Sequence, residues 1–214
     1  MPNQATETCP LCYNIAYPFY KNIFYKCCEC SAIFRDKHLF LTPIEEKKRY
    51  ENHNNDVNDV AYQQFVSPIT SAVCKDFTTN TIGLDFGAGT GSAISKVLTD
   101  FGYTIKQYDP FFHNVPDLLQ NKYDFIVCCE VMEHFHHPEK EFNLLKNLLK
   151  PNGVLYCMTH IYTNEIDFDN WYYKNDPTHV FIYQKETLEW IKNKFNFSSI
   201  TINQRFIVFR NGNH

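Results

Sequence analysis

From Thr81 onward the chain alternates between two hydrophobic periods. "TIGLDFG" is a short apolar run closed by glycine, and "SAISKVLTDFG" spaces its apolar residues along one helical face before a second glycine stop. "YTIKQYD", "YDFIVCCEV" and "NGVLYCMTH" read as further strands. "PEKEFNLLKNLLK" and "KETLEWIKNKF" read as helices, the first entered through Pro138 at its opening turn, and "SSITINQRFIVFR" closes the pattern as a hairpin. This alternation predicts an α/β fold, a mainly parallel sheet with helices on both faces and a terminal antiparallel hairpin.

Upstream the pattern changes. Residues 1–42 are rich in Cys and aromatics and lack a helical period, which predicts short strands and knuckle turns. Between 43 and 79, Tyr62, Phe65, Val66 and Ile69 recur at three- and four-residue steps, as in a helix packed on a neighbour. The expected organisation is a Cys-rich module (1–42), a helical region (43–79) and the α/β domain (80–214).

Composition narrows this further. With 214 residues, 44% of them hydrophobic, the chain can bury one main core and carry a small appendage. Twenty Lys and Arg against 24 Asp and Glu give −4, which argues against bulk polyanion binding while leaving a local groove open. No run approaches the roughly 20 apolar residues of a membrane span. The N-terminus "MPNQATETCP" lacks the plan of a signal peptide, so a cytoplasmic protein is expected.

Nine cysteines in a reducing compartment point to metal rather than to disulfides. Cys9 and Cys12 in "CPLC", then Cys27 and Cys30 in "CCEC", give CxxC, fourteen residues, CxxC. Two such knuckles supply four thiolates to a tetrahedral, closed, structural Zn(II). A ribbon of this kind also offers a surface to a protein or nucleic-acid partner.

"LDFGAGTGS" places Asp85, Gly87, Gly89 and Gly91 where the first strand of the α/β domain meets its helix. Glycines let the backbone turn sharply and approach a ligand, and the helix start offers unpaired amides. The last glycine comes one position too early for a dinucleotide fingerprint. The spacing, with Asp109 ending the next strand in "YDP", resembles motif I and the second acidic position of class I S-adenosylmethionine (SAM) methyltransferases of the type 11/12/23 kind. "EVMEH" and "LKPNGVLYCMTH" resemble later motifs, and the likeness covers residues 80 to 210 or so.

The resemblance implies a Rossmann-like sheet and SAM as cofactor, with the glycine loop against it and Asp109 accepting both ribose hydroxyls. One departure stands out: 13 residues separate Asp109 from Tyr123, too few for the usual helix, strand and adenine loop. Edge strand 3 is therefore expected to be missing. Pro110, Phe111 and Phe112 would either give the purine an apolar face or cover the exposed sheet edge. Tyr50, His53 and Asn55 would reach the methionine end of SAM, or else belong to a solvated helix end.

"EVMEHFHHPEKEF" crowds polar groups at the mouth of an apolar strand. Glu130, Glu133 and His134 fall at the expected reaction centre, with Glu130 also beside the cofactor, and His136 and His137 lead into the helix. With His179 in "NDPTHVFIY", the cluster resembles the metal site of Hen-class RNA 2′-O-methyltransferases and the EVxEH segment of ubiquinone-pathway O-methyltransferases. Three readings stand: a divalent cation such as Mg(II) or Mn(II) on Glu130, Glu133, His134 and His179; His134 or His179 as a metal-free base; or residues that only orient the loop and cap the helix. Trp171, Tyr172 and Tyr173, in a long aromatic connection, would stack on an acceptor or form a small core of their own.

The expected function is SAM-dependent methyl transfer to an oxygen of a polar small molecule or glycan-like acceptor. RNA 2′-O-methylation and a non-catalytic interaction module are the alternatives.

Overall fold

The computed structural model describes residues 6–52 and 56–212. Its main sheet has six strands in the order β10-β11-β8-β7-β5-β6. These are β5 (Ile82–Phe86), β6 (Thr104–Tyr108), β7 (Tyr123–Cys129), β8 (Leu149–Met158), β10 (Phe197–Asn203) and β11 (Phe206–Asn211). β6, β5, β7 and β8 run parallel, and the β10–β11 hairpin continues the sheet antiparallel. This is the expected Rossmann-like sheet without edge strand 3, so β6 is left as the edge.

Alternation along the central strands explains the layers. Phe125, Val127, Val154, Tyr156 and Val208 point to one face and pack against α2 (Val60–Asp76) and α3 (Ala93–Asp100). Ile126, Cys128, Leu155, Cys157, Ile207 and Phe209 point to the other and meet α4 (Pro138–Leu148) and α5 (Lys185–Lys194). Each large apolar side chain buried this way contributes about 1.5–3 kcal/mol.

Some local expectations need correction. The 43–79 region holds two helices, α1 (Pro43–Glu51) and α2, each with its own N-cap, Thr42 and Asp59. Phe65 is not a packing residue of α2: it is 36% exposed and lies under the Arg205 guanidinium. α4 passes into β8 at Leu149 with no loop, because Pro151 bars the helix and biases Lys150 to extended backbone.

The N-terminal residues form a second sheet, β1 (Glu7–Thr8), β2 (Ile15–Tyr20), β3 (Phe24–Cys27) and β4 (Ile33–Arg35), in that spatial order. Its last member is β9 (Phe181–Ile182), paired Ile33 to Ile182 and Phe34 to Phe181. The Cys-rich unit is thereby hydrogen-bonded to the segment just after His179. No helix among the described residues is long and apolar enough to cross a membrane.

Candidate functional site

The glycine loop follows β5 and is fastened to the end of β6. Gly87 and Ala88 donate to the Tyr108 carbonyl at 2.8 and 3.2 Å, and Gly89 donates to Asp109 Oδ2 at 2.9 Å. Gly87 has φ +82°, and a Cβ there would lie 2.4 Å from Val131 Cγ2, so the loop and the "EVMEH" turn approach each other only because this residue is glycine. Asp109 Oδ1 accepts the N–H groups of Phe111 and Phe112, which shapes the chain after β6 into a tight turn.

Loop, turn and α1 enclose a cavity of about 790 Å³, whose wall includes Gly87, Gly89, Gly91, Asp109, Pro110 and Phe111. Phe112 and Leu119 extend its apolar side. Asp85 is a correction to the expected cofactor wall. It is buried beneath the loop, outside that wall, and accepts the hydroxyls of Ser92 and Ser95 at 2.5 and 2.6 Å. Burial pushes its carboxyl up and the two hydroxyl bonds oppose this, so Asp85 braces the start of α3 instead of facing a ligand.

At the end of β7 the backbone reverses through Glu130 at φ +52° and enters a 3₁₀ turn, Met132–His134. Glu133 is fully buried, with Oε1 accepting from the Tyr173 hydroxyl at 2.7 Å and Oε2 accepting no hydrogen bond among the described residues. His134 Nδ1–H donates to the Thr178 carbonyl at 2.9 Å, and His179 Nδ1–H to the Tyr173 carbonyl at 2.8 Å. A carbonyl only accepts, so each neutral ring carries its lone pair on Nε2. Donor atoms of Glu133, His134 and His179 lie within 4.8 Å of one another.

Glu130 does not join them, which corrects the four-residue set expected from the sequence. Its Oε2 accepts from Arg205 Nη2 at 2.7 Å, and that ion pair turns the carboxylate toward the β10–β11 turn. Burial, reinforced by Glu133, pushes Glu130 up to about 8, with Arg205 opposing. Burial likewise pushes Glu133 up to about 7, with the Tyr173 bond among the opposing effects. Burial and the neighbouring His134 push His179 down to about 4. A buried carboxylate with an open oxygen beside two imidazoles fits a cation: imidazole nitrogens are good ligands, and His179, pushed down, is a poor proton acceptor.

α1 forms the opposite wall. Tyr50 lies 5.8 Å from Phe111 and 5.4 Å from His134, ring centre to ring centre. Glu46, buried one turn earlier, lies 3.3 Å from His136 Nε2, and Arg49 makes a two-pronged pair with Asp176 at 2.9 and 2.7 Å. His136 and His137 thus line the cavity and are more than helix-entry residues. Sequence reasoning missed Glu46, although its i, i+4 spacing to Tyr50 puts both on one face, and it missed Arg205, which has no local signal. His53 and Asn55 lie outside the described residues. Trp171 and Tyr173 are buried against Phe168 and Ile182. Exposed Tyr172 bonds to His160, and none of the three aromatics lines the cavity.

In the N-terminal sheet the two knuckles face each other. Cys9 and Cys30 Sγ are 3.6 Å apart, Cys12 and Cys27 Sγ 3.3 Å, and all four sulfurs fall within 4.8 Å. The edge of a tetrahedron with 2.3 Å Zn–S bonds is about 3.8 Å, so the donor set fits Zn(II). Cys28 is exposed and outside the group.

A family model described as a methyltransferase domain matches residues 33–202. An O-methyltransferase family protein from Burkholderia thailandensis superposes with TM-score 0.54 at 11% identity, over 78% of this chain and 63% of that one. Human N-acetylserotonin methyltransferase in complex with SAM gives 0.53 at 12%, over 80% and 57%. A SAM-dependent methyltransferase from Methanosarcina mazei gives 0.52 at 13%, over 67% and 98%. These likenesses show the fold, and the chain spans less than two thirds of the first two structures. A search of curated protein sequences found no match.

Proposed function

The chain belongs to the methyltransferase domain family that matches residues 33–202, and from that premise we propose that it transfers the SAM methyl group to an oxygen of a polar, sugar-like small molecule. The observation that carries this reading is the convergence of Glu133, His134 and His179 on the wall that also holds the glycine loop. SAM would lie along Gly87, Gly89 and Gly91. Asp109 retains acceptor capacity for ribose after its three N–H bonds, and Phe111, in the same wall, would offer the purine an apolar face.

Glu133, His134 and His179 would hold a divalent cation, Mg(II) or Mn(II). Such an ion lowers the pKa of a coordinated hydroxyl toward the working range. The backbone carbonyls behind both imidazoles fix their tautomers, and Tyr50 closes the site from α1. His179 as a lone base is disfavoured, because a ring pushed down to about 4 is a weak proton acceptor at neutral pH. Cys9, Cys12, Cys27 and Cys30 would bind a structural Zn(II).

Among the described residues the cavity wall has five carboxylates, Glu46, Asp109, Glu130, Glu133 and Glu141, and neither Lys nor Arg. A phosphate-bearing acceptor such as RNA would meet mostly carboxylates there, with the nearby Arg205 already paired to Glu130, so a neutral acceptor is preferred. The test is calorimetry of SAM with zinc-loaded protein, followed by methyl transfer from labelled SAM to a panel of sugars and polyols. Assays after EDTA, after restoration with Mg(II) or Mn(II), and with His179→Ala complete it. Absence of SAM binding would remove the enzymatic reading; full turnover in EDTA would remove the cation.

A further inference from the structure

The long aromatic connection before His179 left no residue in the cavity, yet one of its side chains governs the donor cluster. We propose that Tyr173 is the positioning residue of the cation site, holding two of its three donors at once; the inference rests on the cation reading above.

Tyr173 lies in the 3₁₀ turn Tyr172–Asn175, 3% exposed and packed on Trp171 with ring centres 5.1 Å apart. Its hydroxyl donates to Glu133 Oε1 at 2.7 Å. The single phenolic proton is spent there, so Thr159 Oγ1, at 2.8 Å, must be the donor to the phenol oxygen. At its other end the Tyr173 carbonyl accepts Nδ1–H of His179 at 2.8 Å, and its ring sits 4.0 Å from that imidazole. The phenol therefore occupies Oε1 of Glu133 and leaves Oε2 without a hydrogen-bond partner among the described residues, while carbonyl and ring fix the plane of His179. Neither contact reaches the cation itself, so the whole effect must pass through Glu133 and His179. Outer partners of this kind commonly set metal affinity by 10- to 100-fold.

Tyr173→Phe keeps the ring and the carbonyl and deletes the hydroxyl, with its bonds to Glu133 and Thr159. Mn(II) binding is titrated by electron paramagnetic resonance on zinc-loaded protein. The variant should bind about 10- to 100-fold more weakly, with SAM affinity unchanged and a lower melting temperature, since Glu133 and Thr159 each lose a buried partner. Since the phenol acts through Glu133, Glu133→Gln/Tyr173→Phe should bind no more weakly than Glu133→Gln alone. Equal affinity of wild type and Tyr173→Phe overturns the proposal, as does an additive loss in the Glu133→Gln background. Wild type that binds Mn(II) no better than His179→Ala would instead overturn the cation reading and this inference with it.

Discussion

Arg205 Nη2 lies 2.7 Å from Glu130 Oε2 and joins the β10–β11 turn to the end of β7. The pair keeps Glu130 out of the donor cluster and sets a guanidinium charge close to the place where a cation would bind.

Arg205→Ala should therefore have opposite effects on stability and on metal binding. Losing the pair and the stack on Phe65 should cost about 1 kcal/mol, a fall in melting temperature of about 2–4 °C. Removing the positive charge and releasing a carboxylate should raise Mn(II) affinity several-fold. Calorimetric melting and Mn(II) titration of the variant check both, and weaker Mn(II) binding would contradict the second.

Gly87→Ala should abolish SAM binding. The added Cβ meets Val131 at 2.4 Å and the residue would hold φ +82°, which costs an L-residue about 1–2 kcal/mol before any clash. Adding Val131→Ala makes room but leaves the dihedral penalty, so calorimetry should show only partial recovery.

Asp176 supplies the pH dependence. Burial opposes its charge, but the Arg49 guanidinium and the Thr178 hydroxyl and N–H outweigh that and hold the carboxyl well below the usual carboxylate range. A depressed folded value means that the stabilisation is complete above the unfolded value of about 3.9 and is lost as pH falls through the folded one. Arg49 is 42% exposed, so screening keeps the pair near about 1 kcal/mol. In urea melts, Arg49→Ala should trail wild type by that amount from pH 5 to 7 and converge with it in stronger acid.

Zinc removal should reach the segment that carries His179. Arg35 N–H donates to the Val180 carbonyl at 2.8 Å, and its Nη2 donates to the carbonyls of Lys174 and Asp176, so the Cys-rich sheet holds the segment that carries His179. Cys9→Ser should lose the bound zinc, lower the melting temperature and weaken Mn(II) binding, whereas Cys28→Ser should leave all three unchanged. Metal analysis with paired titrations distinguishes these outcomes.

Strand and helix periods, the glycine spacing of Gly87, Gly89 and Gly91, and the paired knuckles of Cys9, Cys12, Cys27 and Cys30 were legible in the sequence. Each is a relation among residues a few positions apart, which local backbone geometry turns into structure. The convergence of Glu133 and His134 with His179, and the cavity placement of Asp109, Phe111 and Tyr50, followed from placing those elements in a known order of strands. Only the tertiary structure decided that Glu130 pairs with Arg205, that Asp85 turns beneath its loop to two serines, that Glu46 meets His136, and that Tyr173 holds Glu133. A buried carboxylate takes whichever donor the fold brings within about 3 Å. For Glu130 that donor lies far along the chain, at a distance no sequence period encodes.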